Sequence, residues 1–147
     1  MTLSSIEALV EPGESAQVEF KRSTGQLRGA VKTVCGMLNG AGGYVLLGVR
    51  DNGTITGQQV ADSTQRDIAR ELAKIEPQVV LDPDLVPVDG DRVVIVLSVP
   101  GDRQGPYTYD GRPYVRQGPT TRQMDRTTYN QQLLRDRDPR HRWEARS

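Results

Sequence analysis

Tyr44-Val-Leu-Leu-Gly-Val-Arg50, followed at once by Asp51-Asn-Gly53 and Thr54-Ile-Thr-Gly57, decides how the 147-residue chain is read. The first segment is a nearly continuous apolar run bounded by turn residues, the pattern of a central strand covered on both faces. Asn52-Gly53 supplies the positive φ angles of a tight hairpin turn, so residues 54–57 are expected to return antiparallel. Upstream, Val18-Glu-Phe-Lys21 alternates apolar and charged, which puts Val18 and Phe20 inward and Glu19 and Lys21 together on the other face of a strand. Between these strands Leu27, Ala30, Val31, Val34, Cys35 and Leu38 recur at helical spacing. They predict an amphipathic helix over about 26–39 that Asn39-Gly40 and Gly42-Gly43 bring to an end.

Downstream, a second helix starts near Asp62 or Ser63, carries Ile68, Ala69, Leu72 and Ile75 on one face and stops at Pro77. Strands at roughly 85–88 and 93–99 flank the turn pair Asp89-Gly90. Beyond Pro100 come a short strand, Tyr114-Val-Arg116, and a helix capped by Asp125 that runs to about Leu134. Hairpins mixed with helices, without regular βαβ alternation, predict an α+β domain: a single mixed or antiparallel sheet with two or three packed helices. The domain is expected over residues 1–130, and residues 131–147 read as a basic helix end and tail.

A chain of this length suits one core. Hydrophobic residues make up 35% and charged residues 26%, ordinary for a globular protein, and no apolar run nears the ~20 residues of a membrane span. The N-terminus has neither a basic region nor a continuous apolar stretch, so no secretion signal is read there. The single cysteine, Cys35, cannot form an internal disulfide, which fits a reducing cytoplasm. It falls on the apolar helix face, and the one histidine, His141, lies in the tail. Cys–His and Ser–His–Asp catalysis and structural zinc therefore lack residues. Formal charge is zero overall, yet residues 1–102 hold nine basic and fourteen acidic side chains against ten and five in residues 103–147. The basic final third suits contact with phosphate, although such asymmetry also describes a solvated face.

Glu14-Ser-Ala-Gln-Val-Glu-Phe-Lys21, Asn39, Gly42-Gly43, the apolar strand, Gly48-Val49, Asp51, Gly53 and Gly57 follow one another in an order that resembles the Schlafen AlbA-like domain. The similarity continues through Tyr114-Val-Arg-Gln-Gly118 and Thr120-Thr-Arg122. The resemblance implies a nucleic-acid-handling domain, and some members are metal-dependent endoribonucleases that act on RNA such as tRNA. By position it assigns a metal-binding carboxylate triad to Glu14, Glu19 and Asp51. Mg²⁺ or Mn²⁺ would suit such oxygen ligands, and the ion polarises phosphate or activates a nucleophile. Lys21 would offset charge developing on the phosphate. Other members of the family serve as non-catalytic DNA- or RNA-binding regulatory modules, which is the alternative reading here.

Each residue also has a plainer reading. Glu19 and Lys21 suit an exposed strand pair, Asp51 a turn aspartate bonding local backbone, and Glu14 a loop carboxylate. For phosphate contact the candidates are Lys21, Arg22, Arg28, Lys32, Arg112, Arg116 and Arg122. Tyr107, Tyr109 and Tyr114 suit either base stacking or cross-strand packing. Gly40, Gly42 and Gly43 do not form a nucleotide loop, because no Lys-Ser/Thr pair follows and they lie after a helix rather than before one. The expected partner is nucleic acid, RNA rather than DNA, with no membrane. Animal Schlafens carry a zinc site, which this chain departs from, and enclose substrate between two related lobes. The resemblance therefore implies a homodimer of this one-lobe chain.

Overall fold

The computed structural model describes residues 1–101 and 105–136. Among them are four α-helices, one 3-10 turn (Thr24–Gln26) and eight strands. The helices are α1 (Leu3–Val10), α2 (Leu27–Leu38), α3 (Asp62–Leu72) and α4 (Arg126–Asp136). The strands are β1 (Val18–Lys21), β2 (Gly43–Leu47), β3 (Ile75–Glu76), β4 (Asp84–Asp89), β5 (Arg92–Val99), β6 (Thr108–Tyr109), β7 (Arg112–Gln117) and β8 (Thr120–Gln123). The α+β class is as expected, but the strands divide over two four-stranded sheets, β1-β2-β5-β4 and β3-β6-β7-β8. In the first sheet β1 runs parallel to β2, while β5 is antiparallel to both β2 and β4. No described helix is long and apolar enough to cross a membrane. The Trp143 and His141 tail lies outside the described residues.

The first sheet is covered on both faces, as the apolar run of β2 predicts. Ile6 and Val10 of α1 pack on Val18, Phe20, Leu46, Val86, Val94 and Val96. Thr2 opens α1, its hydroxyl accepting from Ser5 N at 3.2 Å, which satisfies one of the amides a helix start leaves unpaired. The opposite face, with Val45, Leu47, Ile95 and Leu97, packs on α2 and α3 and on Tyr107, Tyr109 and Tyr114.

The helix α2 touches strands of both sheets, and this explains a departure from simple amphipathicity. Thr33, Gly36 and Met37 are buried along with the expected Ala30, Val31, Val34, Cys35 and Leu38, because the second sheet covers the side that periodicity alone would leave wet. At Gly36 a Cβ would lie 3.0 Å from the Val115 carbonyl carbon and 3.1 Å from Arg116 N, so hydrogen is the side chain that lets helix and strand backbones meet. Ile75, expected on α3, instead begins β3 and pairs with Tyr109. The Asn52-Gly53 turn forms, but residues 54–57 return only as far as a bridge between Val49 and Ile55. All three tyrosines are core residues, 2%, 1% and 9% exposed, which removes them as base-stacking surfaces.

Asn39, which sequence reading treats merely as a helix end, ties the end of α2 to the second sheet. Its amide nitrogen donates to Tyr107 O at 2.9 Å and Tyr114 O at 2.8 Å, and its oxygen accepts from Tyr107 N at 2.7 Å.

Candidate functional site

β1 is an edge strand, and its outer side is where the motif residues gather. An edge leaves backbone groups without a neighbouring strand. Here the Phe20 N–H donates to Glu14 Oε2 at 3.3 Å, and Val18 O accepts from Ser15 N at 3.0 Å and from Arg116 Nη2 at 3.2 Å. Positive φ at Gly13 turns the chain after α1, so that Glu14 approaches the strand it precedes.

Glu19 and Lys21 share one face of β1, as alternation predicts, with Lys21 Nζ 3.3 Å from Glu19 Oε1. That face is not solvent, however: Glu19 is 8% exposed. A Cβ at Gly29 would lie 3.2 Å from Lys21 Nζ, so the ammonium rests on the first turn of α2. The second oxygen of Glu19 lies 2.6 Å from Arg116 Nη2, yet the contact lacks hydrogen-bond geometry. The guanidinium directs its N–H groups elsewhere, to Ser15 O at 2.8 Å, Val18 O and Thr121 Oγ1 at 3.1 Å. The distance defines an ion pair and the angles deny a directed bond, so the attraction is one of charge.

Burial pushes the Glu14 carboxyl up to about 7, helped by its hydrogen bond to Glu19 and by the Glu19 charge. The Phe20 N–H and Arg116 oppose the shift. Two neighbouring carboxylates in a partly dry site resist carrying two charges.

Asp51 does not join them. It is exposed at the tip of the turn, where Asn52 Oδ1 accepts from Thr54 N at 3.0 Å and Gly53 N donates to Arg50 O at 2.8 Å. Among the described residues no three His, Cys, Asp or Glu side chains gather to hold a metal ion. The structure thus brings together Glu14, Glu19 and Lys21, adds Arg116, and leaves out Asp51.

The proposed phosphate contacts are similarly divided. Arg22, Arg28, Arg112 and Arg122 are exposed and Lys32 half-buried. Lys32 Nζ sits 5.6 Å from the centre of the Tyr114 ring, a cation–π distance. Arg122 Nε donates to Gln117 Oε1 at 2.9 Å. The Arg116 side chain is 3% exposed, so it is a correction to the surface reading: its charge is spent inside the protein. Arg28 lies close enough to the Tyr109–Glu71 pair to act on both electrostatically. Burial pushes the Tyr109 hydroxyl up to about 12, reinforced by its hydrogen bond to Glu71. Burial also raises Glu71, but the donors Tyr109 and Lys74 and the charges of Lys74 and Arg28 outweigh it and hold that carboxyl below its usual range.

With this geometry in place, the sequence matches the family described as Schlafen, AlbA_2 over residues 14–125. The chain belongs to that family. This AlbA_2 chain is similar in structure to the DIP2311 protein from Corynebacterium diphtheriae, at 18% identity and a TM-score of 0.61. The match covers 86% of this chain and 30% of the other, so the chain spans under a third of that relative's length. It is also similar to the N-terminal domain of a protein from Nitrosomonas europaea named for its relation to the ATP-dependent DNA helicase RecG. There the identity is 27%, the TM-score 0.51, and coverage 65% of this chain and 72% of that one. No curated protein matches the sequence. The matched span begins at Glu14 and takes in β1, the Asp51 turn and Arg116, so the carboxylate pair and the arginine beside it lie within the family's own frame.

The divalent ion that the resemblance implies does not fit these residues as they stand. Hard cations need several oxygens at about 2.0–2.6 Å. Here Glu14 Oε2 is taken by the Phe20 amide and both oxygens of Glu19 face cations, while the third expected ligand stands on an exposed turn.

Proposed function

We propose that the chain is a nucleic-acid-binding module that holds its partner without cleaving it. Family membership and the helicase-related name of one structural neighbour support the partner class. Arg22, Arg112 and Arg122, exposed and without an ion pair among the described residues, suit phosphate contact. The observation that carries the choice of binding over endoribonuclease cleavage is that Glu19 is ion-paired on both oxygens, to Lys21 and to Arg116. A carboxylate so compensated contributes little charge to a Mg²⁺ or Mn²⁺ ion. In the same reading a second copy of the chain supplies the opposing lobe of a homodimer, which light scattering at micromolar concentration checks.

Fluorescence anisotropy with labelled single-stranded RNA, duplex RNA and duplex DNA, each with Mn²⁺ present, tests the proposal. Expected are binding that weakens steeply with salt, intact probes, and a log–log salt slope shallower by up to about 2 in the Arg112→Gln/Arg122→Gln variant. Absence of binding to every probe at low salt would refute it. Cleavage that disappears in Glu19→Gln would transfer the chain to the nuclease members of the family.

A further inference from the structure

The carboxylate pair on the edge of β1 already faces a cation. We infer that the guanidinium of Arg116 occupies, in this chain, the place that the nuclease reading gives to a divalent ion. Glu19 thereby fastens β7 of the second sheet to β1 of the first, with Glu14 held on β1 beside it, instead of the pair gripping a metal. Three observations converge on this. The charges balance: the two carboxylates of Glu14 and Glu19 stand against the two cations Lys21 and Arg116, with Glu19 paired to both, so no net negative charge is left to attract an ion.

The position is also filled. Arg116 Nη2 stands 2.6 Å from the buried Glu19 Oε2, nearer than any second cation would tolerate. Moreover, the arginine is hard to displace. Its side chain is 3% exposed and is the hydrogen-bond donor to Ser15 O, Val18 O and Thr121 Oγ1. A metal entering at Glu19 Oε2 would have to expel it and break those hydrogen bonds. Arg116 is thus a positioning residue that stitches the sheets together. The inference stands whether or not the chain binds nucleic acid.

The test uses the full ¹⁵N-labelled chain and MnCl₂ alone. Expected is no saturable paramagnetic broadening at the amides of Ser15, Glu19, Phe20 and Lys21, and a melting temperature that MnCl₂ leaves unchanged. Saturable broadening centred on those amides, competed away by Mg²⁺, overturns the inference. A second arm compares melting of Arg116→Met, Glu19→Gln and the double variant. Removing one partner of a buried pair strands a charge, whereas removing both does not. Arg116→Met should therefore melt lower than the double variant, and strictly additive losses would count against the clasp. If Arg116→Met does not fold, the manganese measurement on the unaltered chain decides.

Discussion

Replacing Asn39 by Ala tests how firmly the second sheet is joined to the end of α2. The side chain makes three hydrogen bonds to the backbone of Tyr107 and Tyr114, at 2.7–2.9 Å, and Ala leaves two carbonyls and one amide without these partners. At about 1 kcal/mol net for each bond, the loss is about 3 kcal/mol. For a chain of this size that lowers the melting temperature by about 10 °C. The backbone at Asn39, with φ −81° and ψ 2°, is open to alanine, so conformational strain does not confound the result. Asn39→Asp should be worse near neutral pH, because a carboxylate cannot donate and meets two carbonyl oxygens. It should recover part of the loss at a pH low enough to protonate it. Differential scanning calorimetry or thermal circular dichroism reads both. A melting temperature for Asn39→Ala within about 2 °C of the parent would mean that the bonds contribute little net stability, and that the second sheet is held on α2 by its other contacts.

Further outcomes follow from the packing and the titrating groups. Gly36→Ala gains about 1 kcal/mol of helix propensity but pushes a methyl into the Val115–Arg116 backbone, at a cost of about 1–3 kcal/mol. A lower melting temperature is expected, and a rise would show that β7 yields readily. Burial pushes the Cys35 thiol up to about 11, so at pH 8 a disulfide reagent should react only as fast as the protein opens. Immediate stoichiometric labelling of the folded chain would contradict this burial. Glu14, raised from 4.5 to about 7, binds its proton more tightly in the folded state. Stability should therefore fall as pH rises from about 4.5 to about 7 and level off above that. Urea titrations of Glu14→Gln across the same range should lack this component of the slope, and an identical profile for both proteins would exclude the shift.

Much of the fold is written locally. The helical spacing of Leu27 to Leu38, the alternation at Val18–Lys21 and the apolar run of Val93–Val99 each appear where their patterns place them. The second sheet was less legible, because β3 and β6 have two residues each and β8 shows no buried residue. Strands this short owe their existence to neighbours rather than to periodicity. Ile75 illustrates the point: it continues the apolar spacing of α3, yet pairing with Tyr109 draws it into a strand. At the candidate site, the five-residue separation of Glu14 and Glu19 was visible as part of a motif. The identity of their counter-charge was not. Arg116 alternates with Tyr114 as an outward-facing strand residue does, and nothing local announces that its partner lies on a strand almost a hundred positions earlier. Asp51 shows the converse, since a motif position does not by itself bring a side chain to the cluster.

The order in which the strands are dealt out has its own consequence. The chain lays down β1 and β2, crosses to the other sheet for β3, returns for β4 and β5, and crosses again for β6 to β8. No contiguous half therefore contains a complete sheet with its own helices, and a cut anywhere in the middle leaves two fragments with raw apolar faces. Such a unit can be borrowed by larger proteins only whole, as an uncut cassette.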